Sequence, residues 1–296
     1  MASPRLGGSS SSWKDLPRRL ATICLGVPIL WWLWSQPTLR RLFFQGLHVA
    51  MCLEWAQMTA SSVSFSANVG SYAFVLLSAL LVNVTDDAIF LAALPCAVAV
   101  LSLAQHGSST NNRSVAVVTG FLLLTVNCRT WLALSRDFGM VISLLLTVWN
   151  CDTGALVAGR LLHRRLAIPK PAWLHAISPN KSVVGLIGGV LLGTLTYMSL
   201  GWFWSCIYAL NLASPVSMFA GSNLKLRVPW TERLLVGLVL SVAAIVGDLW
   251  ESSLKRTCAV KDTGAWLPGH GGILDRFDSS LLAVGIYYCY LQDKLR

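Results

Sequence analysis

Residues 234–250 read LLVGLVLSVAAIVGDLW. The run carries no charge until Asp248, and it lacks the two-residue alternation of a strand with one wet face. Its length approaches the ~20 residues that an α-helix needs to cross the hydrocarbon core of a bilayer. Charge begins where the apolar run ends, with Asp248, Glu251, Lys255 and Arg256. Asp248 is therefore expected at a membrane interface.

Similar runs recur on either side of it. They cover roughly 20–36, 43–60, 70–84, 88–105, 115–135, 139–158, 183–219 and 279–292, and 183–219 is long enough for two spans. Hydrophobic residues make up 55% of the 296, and charged residues only 12%, against about 25% in soluble domains. Mean hydropathy is +0.61. Disorder, a coiled coil and a soluble globular domain are excluded. Backbone groups in lipid must pair internally, so the expected fold is an all-α, polytopic transmembrane helical bundle of about eight to ten spans. A polar tail over 1–19, N-terminal spans over 20–135 and a C-terminal membrane catalytic region over 136–296 complete the expected organisation.

The net charge of +10 comes from 23 Lys and Arg against 13 Asp and Glu. These cations are scattered between apolar spans, which suits topology-setting loops and anionic headgroups rather than nucleic acid. Eight cysteines show no C-x-x-C spacing and mostly lie in apolar runs, as small buried hydrophobes do. Gly185, Gly189 and Gly193 recur every four residues and give one helix face a smooth strip for close packing.

Chemistry concentrates in 248–278, which holds five of the thirteen acids: Asp248, Glu251, Asp262, Asp275 and Asp278. Lys255, Arg256, Lys261, His270 and Arg276 lie in the same stretch. Mixed charge beside apolar helices is costly unless a metal, a ligand or water meets it. Carboxylates without Cys or clustered His are hard oxygen ligands, suited to Mg²⁺. Asp275 and Asp278 are three apart, so on a helix they share a face and Arg276 points elsewhere. The cations can hold phosphate oxygens. The turn Gly269-His270-Gly271-Gly272 allows close backbone approach to an anion. These are the parts for phosphoryl or nucleotidyl transfer on a lipid. Without a ligand, the same residues would form a loop of mutually neutralising salt bridges.

The run Ser252-x-Leu254-Lys255-Arg256-x4-Lys261-Asp262-x-Gly264-x2-Leu267-Pro268-x-His270-Gly271-Gly272-Ile273-x-Asp275-Arg276-Phe277-Asp278 resembles the signature of phosphatidate cytidylyltransferases, or CDP-diacylglycerol synthases. Three further segments resemble that family: Asp152-Thr153-Gly154-Ala155 through Gly159-Arg160, Ser178-Pro179-Asn180-Lys181-Ser182, and Glu54-Trp55. Two places depart from its pattern. Leu156 stands where the family usually has Tyr, and Ser182-Val183-Val184 stands where it usually has Thr-Trp-Glu, so that Ser182 keeps a hydroxyl and Val184 lacks a carboxylate.

The resemblance implies that CTP and phosphatidic acid give CDP-diacylglycerol and pyrophosphate, with Mg²⁺ as cofactor; a second cation is left open. Asp248 and Asp275 are the first expected metal ligands, with Asp262 and Asp278 next as ligands or orienting groups. Lys255, Arg256, Lys261 and Arg276 are expected to hold phosphates, and His270 to donate to a phosphate or to the leaving group. Ser178, Asn180, Lys181, Ser182, Gly271 and Gly272 are expected around CTP. Asp152 has two readings, a site role or a structural pair with Arg160. Glu54, mid-span, is expected to pair with another helix. The expected partners are CTP, phosphatidic acid and membrane lipid; a homodimer is left open. An endoplasmic-reticulum or bacterial-type inner membrane is the expected location, with plastid and mitochondrial membranes as alternatives. A CTP-dependent polyprenol kinase and a membrane transporter are the competing functional readings.

Overall fold

The computed structural model describes residues 36–60, 111–162, 168–209, 228–258, 260–264 and 271–295. The chain divides into two compact units, Met1–Phe43 and Phe44–Arg296. Of the first, only 36–43 are described, the opening turns of a helix.

The described elements are helices, with no β-strand among the described residues. They are α1 (Pro37–Ala60), α2 (Asn111–Leu134), α3 (Phe138–Leu161), α4 (Ala172–Ile177), α5 (Val183–Ala209), α6 (Trp230–Thr257), α7 (Leu274–Phe277) and α8 (Ser280–Leu295). Their ends follow local chemistry. Asp137 caps α3 by accepting the Met140 N–H at 3.3 Å. Ser182 Oγ accepts the Gly185 N–H at 3.1 Å at the start of α5. The helix α6 begins after Pro229, with Glu232 in its first turn and Lys255 and Arg256 in its last, each complementing the helix dipole.

Among the described residues three helices are long and apolar enough to cross a membrane: Gly139–Leu161, Val183–Leu200 and Trp230–Thr257. The runs expected at 43–60, 115–135 and 279–292 are also helical, as α1, α2 and α8. The run from 183 is one continuous helix to Ala209, and its remainder lies outside the described residues. So do the runs at 70–84 and 88–105, and all but the last residue of 20–36.

The glycine strip of α5 does what its spacing predicts. A Cβ on Gly185 would lie 2.7 Å from the Ala155 carbonyl oxygen, and one on Gly189 would lie 2.9 Å from that of Cys151. Backbones of α3 and α5 thus meet almost directly, as small-residue interfaces in membranes allow. Gly193 passes on to Ser241 of α6. Aromatic rings hold the polar end: Trp55 of α1 stacks on Trp250 of α6 at 5.9 Å, and Trp131 of α2 meets the edge of Phe277 at 6.2 Å. Facing outward are Leu191, Leu195, Leu235 and Leu238, all exposed. An apolar exterior over a partly charged interior is the pattern of a chain whose solvent is lipid.

Candidate active site

Helical spacing assembles the first wall. Asp248, Glu251, Ser252 and Lys255 are three and four residues apart and share one face of the last turns of α6. The helix runs nine residues beyond Asp248, so that carboxylate lies inside a continuous helix rather than at its end.

The second wall is the turn at 178–182 between α4 and α5. Lys170 Nζ donates to the Pro179 carbonyl, and Arg256 Nε donates to that of Ile177 at 3.3 Å. The Lys181 N–H closes the turn on Ser178 O at 3.2 Å. So held, Lys181 reaches across and donates from Nζ to Asp248 Oδ2.

The third wall is the signature turn. Gly271 has φ +81, a conformation that L side chains rarely adopt. Gly272 N–H then donates to Asp275 Oδ2 at 2.9 Å, Thr263 N–H to the same oxygen at 3.1 Å, and Lys255 Nζ to Asp275 Oδ1 at 2.9 Å. Burial opposes ionisation of Asp275, but the Lys255 ammonium and these N–H groups outweigh it and hold the carboxyl below its ordinary pKa. Lys255 is itself buried, and it also pairs with the fully buried Glu251.

Behind Asp275, Ser279 joins two more acids. Its Oγ lies 2.9 Å from Asp152 Oδ2 and 3.2 Å from Asp278 Oδ1, while its N–H donates to Asp278 Oδ1 at 2.7 Å. Burial, reinforced by the negative charge of Asp248, pushes the pKa of Asp278 well above the usual carboxylate range. Asp248 of α6, the turn at 178–182, the acids at 275 and 278 and the facing sides of α3 and α5 border an open cavity of about 620 Å³, within the range of small-molecule sites. Asp152, Asp248, Asp275 and Asp278 line it, against Arg160 and Lys181 as cations.

Several expected residues therefore meet. Ser178, Asn180, Lys181 and Ser182 line the cavity with the four aspartates. Asp275 and Asp278 do share a face, and Arg276 is exposed away from it. Others are placed elsewhere. Arg256 is exposed and bonded to the carbonyls of Ile177 and Val260, so it braces the turn. Lys261 and Asp262 are exposed and do not line the cavity. Gly271 and Gly272 lie outside the lining, and the Gly272 N–H is engaged by Asp275 rather than open to an anion. His270 lies outside the described residues. Asp152 takes its hydrogen bond from Ser279 rather than pairing with Arg160, because the start of α8 brings Ser279 beneath it. Leu156 and Val184, the two departures from the family pattern, differ in place: Leu156 lines the cavity, and Val184 is buried in the helix packing.

Three contributors escaped the sequence reading: Ser279, Thr263 and the role of Glu251. Ser279 directly follows Asp278, and Glu251 lies one turn from both Asp248 and Lys255; adjacency and spacing were the available signals.

Hard oxygen donors make the cavity chemically suited to a magnesium ion. Among the described residues no three acidic, His or Cys side chains converge on one metal position. Magnesium commonly takes one or two carboxylates and completes its shell with phosphate oxygens and water, so a pair of aspartates fits it. Asp275 offers about four acceptor positions and receives three donors, from Lys255, Gly272 and Thr263, leaving capacity for one more partner.

Residues 17–293 match the family model described as the cytidylyltransferase family, and the chain belongs to that family. It is similar to the phosphatidate cytidylyltransferase of Bacillus subtilis (strain 168), 40% identical over 144 residues, 49% of this chain and 44% of the relative. The phosphatidate cytidylyltransferase of Staphylococcus epidermidis (strain ATCC 12228 / FDA PCI 1200) is 38% identical over 150 residues, 51% of this chain and 48% of the relative. That of Brucella suis biovar 1 (strain 1330) is 28% identical over 282 residues, 94% of this chain and 93% of the relative. The chain spans a little under half the length of the Bacillus and Staphylococcus relatives in those matches.

Proposed function

We propose that the protein is a phosphatidate cytidylyltransferase, transferring CMP from CTP to phosphatidic acid to give CDP-diacylglycerol and pyrophosphate. The observation that carries this reading is the cavity itself. Four aspartates and Lys181 line a space that also takes in the apolar Leu156, on a helix long enough to span the bilayer. A site for a charged headgroup with lipid beside it needs that mixture.

The lipid phosphate oxygen forms a bond to the α-phosphorus of CTP, and the bond from that phosphorus to the bridging oxygen of pyrophosphate breaks. A phosphomonoester with second pKa near 6 is already largely ionised at pH 7, so the attack needs no strong base. The barrier is electrostatic, because one anion approaches another. Lys181 and Arg160 supply positive charge to the phosphates. The turn at 178–182 orients the nucleotide. Lys255 fixes the direction of Asp275 and keeps its charge in place. Asp248 and Asp275 would hold Mg²⁺, which when bound neutralises phosphate charge and stabilises the departing pyrophosphate.

The turn at 178–182 and the acids Asp275 and Asp278 would face the compartment that supplies CTP, in keeping with Lys170 and Lys181 beside that turn. The test is product analysis. Full-length protein in lipid nanodiscs, given labelled CTP and phosphatidic acid, should release pyrophosphate and yield a CMP-bearing lipid only with Mg²⁺. Release of CDP with a newly phosphorylated lipid would instead mark a kinase, and no incorporation would overturn both enzyme readings.

A further inference from the structure

Glu54 lies on α1, more than 200 residues from the signature turn, and is fully buried at 0% exposure. It pairs with another helix, α7, through backbone N–H groups and not, among the described residues, through a side-chain cation. Its Oε1 accepts the Ile273 N–H at 2.9 Å, and its Oε2 accepts the Leu274 N–H at 2.8 Å and the Thr263 hydroxyl at 3.2 Å. Asp275 takes the neighbouring donors, the N–H groups of Gly272 and Thr263. Two carboxylates thus divide between them the successive donors of one turn. The backbone is cut to fit Glu54: a Cβ on Gly264 would lie 2.7 Å from Oε1, and one on Gly272 would lie 2.8 Å from Oε2. Trp55, stacked on Trp250, locks α1 against α6 at the adjacent position.

We infer that Glu54 is a positioning residue of the site, holding Thr263 and the backbone of Ile273 and Leu274 in the register that aims Asp275 into the cavity beside Asp248. The inference rests on the proposed cytidylyltransferase reading for its catalytic consequence, but not for the geometry. A buried carboxylate bonded to neutral donors holds them firmly, since hydrogen bonds to a charged acceptor are the stronger kind. A glutamine there presents one acceptor oxygen, and its NH₂ group meets N–H groups that need an acceptor.

The experiment is Glu54→Gln in full-length protein in nanodiscs, read in two ways. Hydrogen exchange should quicken in peptides covering 271–279 while α5 and the first half of α6 keep their protection. The Mg²⁺ concentration for half-maximal turnover should rise by roughly 10- to 100-fold, the usual effect of removing a group that orients a metal ligand. The apparent KM for CTP at saturating Mg²⁺ should change little, which a general loss of structure would not spare. Wild-type protection at 271–279, or an unchanged Mg²⁺ midpoint, would overturn the inference. Should Glu54→Gln exchange throughout the molecule, Thr263→Val, which removes one donor, decides by the same readings with smaller shifts. Wild-type protein that makes no CDP-diacylglycerol would defeat the functional reading alone. The exchange result would then still decide whether Glu54 holds the turn.

Discussion

The two ends of α6 obey opposite rules. Its first half exposes Leu235 (59%), Leu238 (43%) and Val242 (44%), while its last turns bury Glu251 (0%) and Lys255 (7%). In water this helix would be inside out. In a bilayer the first half faces a solvent as apolar as itself, and nothing is gained by hiding leucine. The second half carries charges that lipid cannot solvate, so they turn inward and pair with each other. Helix–helix packing divides the same way. Where α3 meets α5, cohesion comes from backbones brought close by glycine; where α6 meets α7, it comes from the Lys255–Asp275 ion pair.

That contrast is easiest to break at Lys255. Lys255→Met leaves Glu251 and Asp275 without their shared cation, and losing one partner of a buried pair costs about 3–5 kcal/mol. The thermal midpoint in detergent should fall by several degrees or more, and turnover should be lost with it. Asp248→Asn removes charge from the cavity wall without removing bulk. Turnover should drop by roughly 10²-fold or more, the scale of deleting one preorganised electrostatic group, with the midpoint nearly kept. Full activity in that variant would take Asp248 out of the mechanism.

The apolar region answers to volume instead. A Cβ at Gly188 would run into Ala158 and lie 3.1 Å from the Gly154 carbonyl oxygen. Gly188→Val should therefore cost about 1–3 kcal/mol by overpacking, read as a lower midpoint without a change in Mg²⁺ dependence. Lys181→Ala removes a cation that serves the nucleotide phosphates and also pairs with Asp248. It should raise the apparent KM for CTP more than it lowers kcat, as the loss of uniform binding does. Leu238→Ala, on the lipid face, should shift stability by no more than about 0.5 kcal/mol. A larger fall would mean that this face is covered by protein.

These regions differed in how much could be read beforehand. The apolar helices were legible because lipid demands long uncharged runs, and the Gly185–Gly189–Gly193 strip named its own packing face. The acids of the signature were legible because Asp275 and Asp278 are three apart, and Asp248 because it ends an apolar run. Direction was not legible. Arg256 and Lys255 are neighbours in sequence, yet one braces a turn at the surface and the other is buried against Asp275. Helical periodicity puts adjacent residues about 100° apart, and only the packing of α4 and α7 decides which one turns inward; Lys255 does so, behind Asp275, and neither residue lines the cavity. Glu54 was harder still. Its partners are backbone N–H groups, which every residue but proline possesses, so no residue type distant in the sequence could announce them. Asp152 has Arg160 as its visible complement in the sequence, whereas the partner that reaches it is the neutral Ser279 and its carboxylate lines the cavity.

The most direct test of the central claim is to locate the nucleotide. A photoreactive CTP analogue, cross-linked to the full-length protein in nanodiscs with Mg²⁺ present, should label peptides containing 178–182 and 271–279. Unlabelled CTP should protect both, and Asp248→Asn should weaken the labelling. Labelling confined to other segments, with these peptides unmarked, would contradict the assignment of this cavity as the place where CTP meets the lipid.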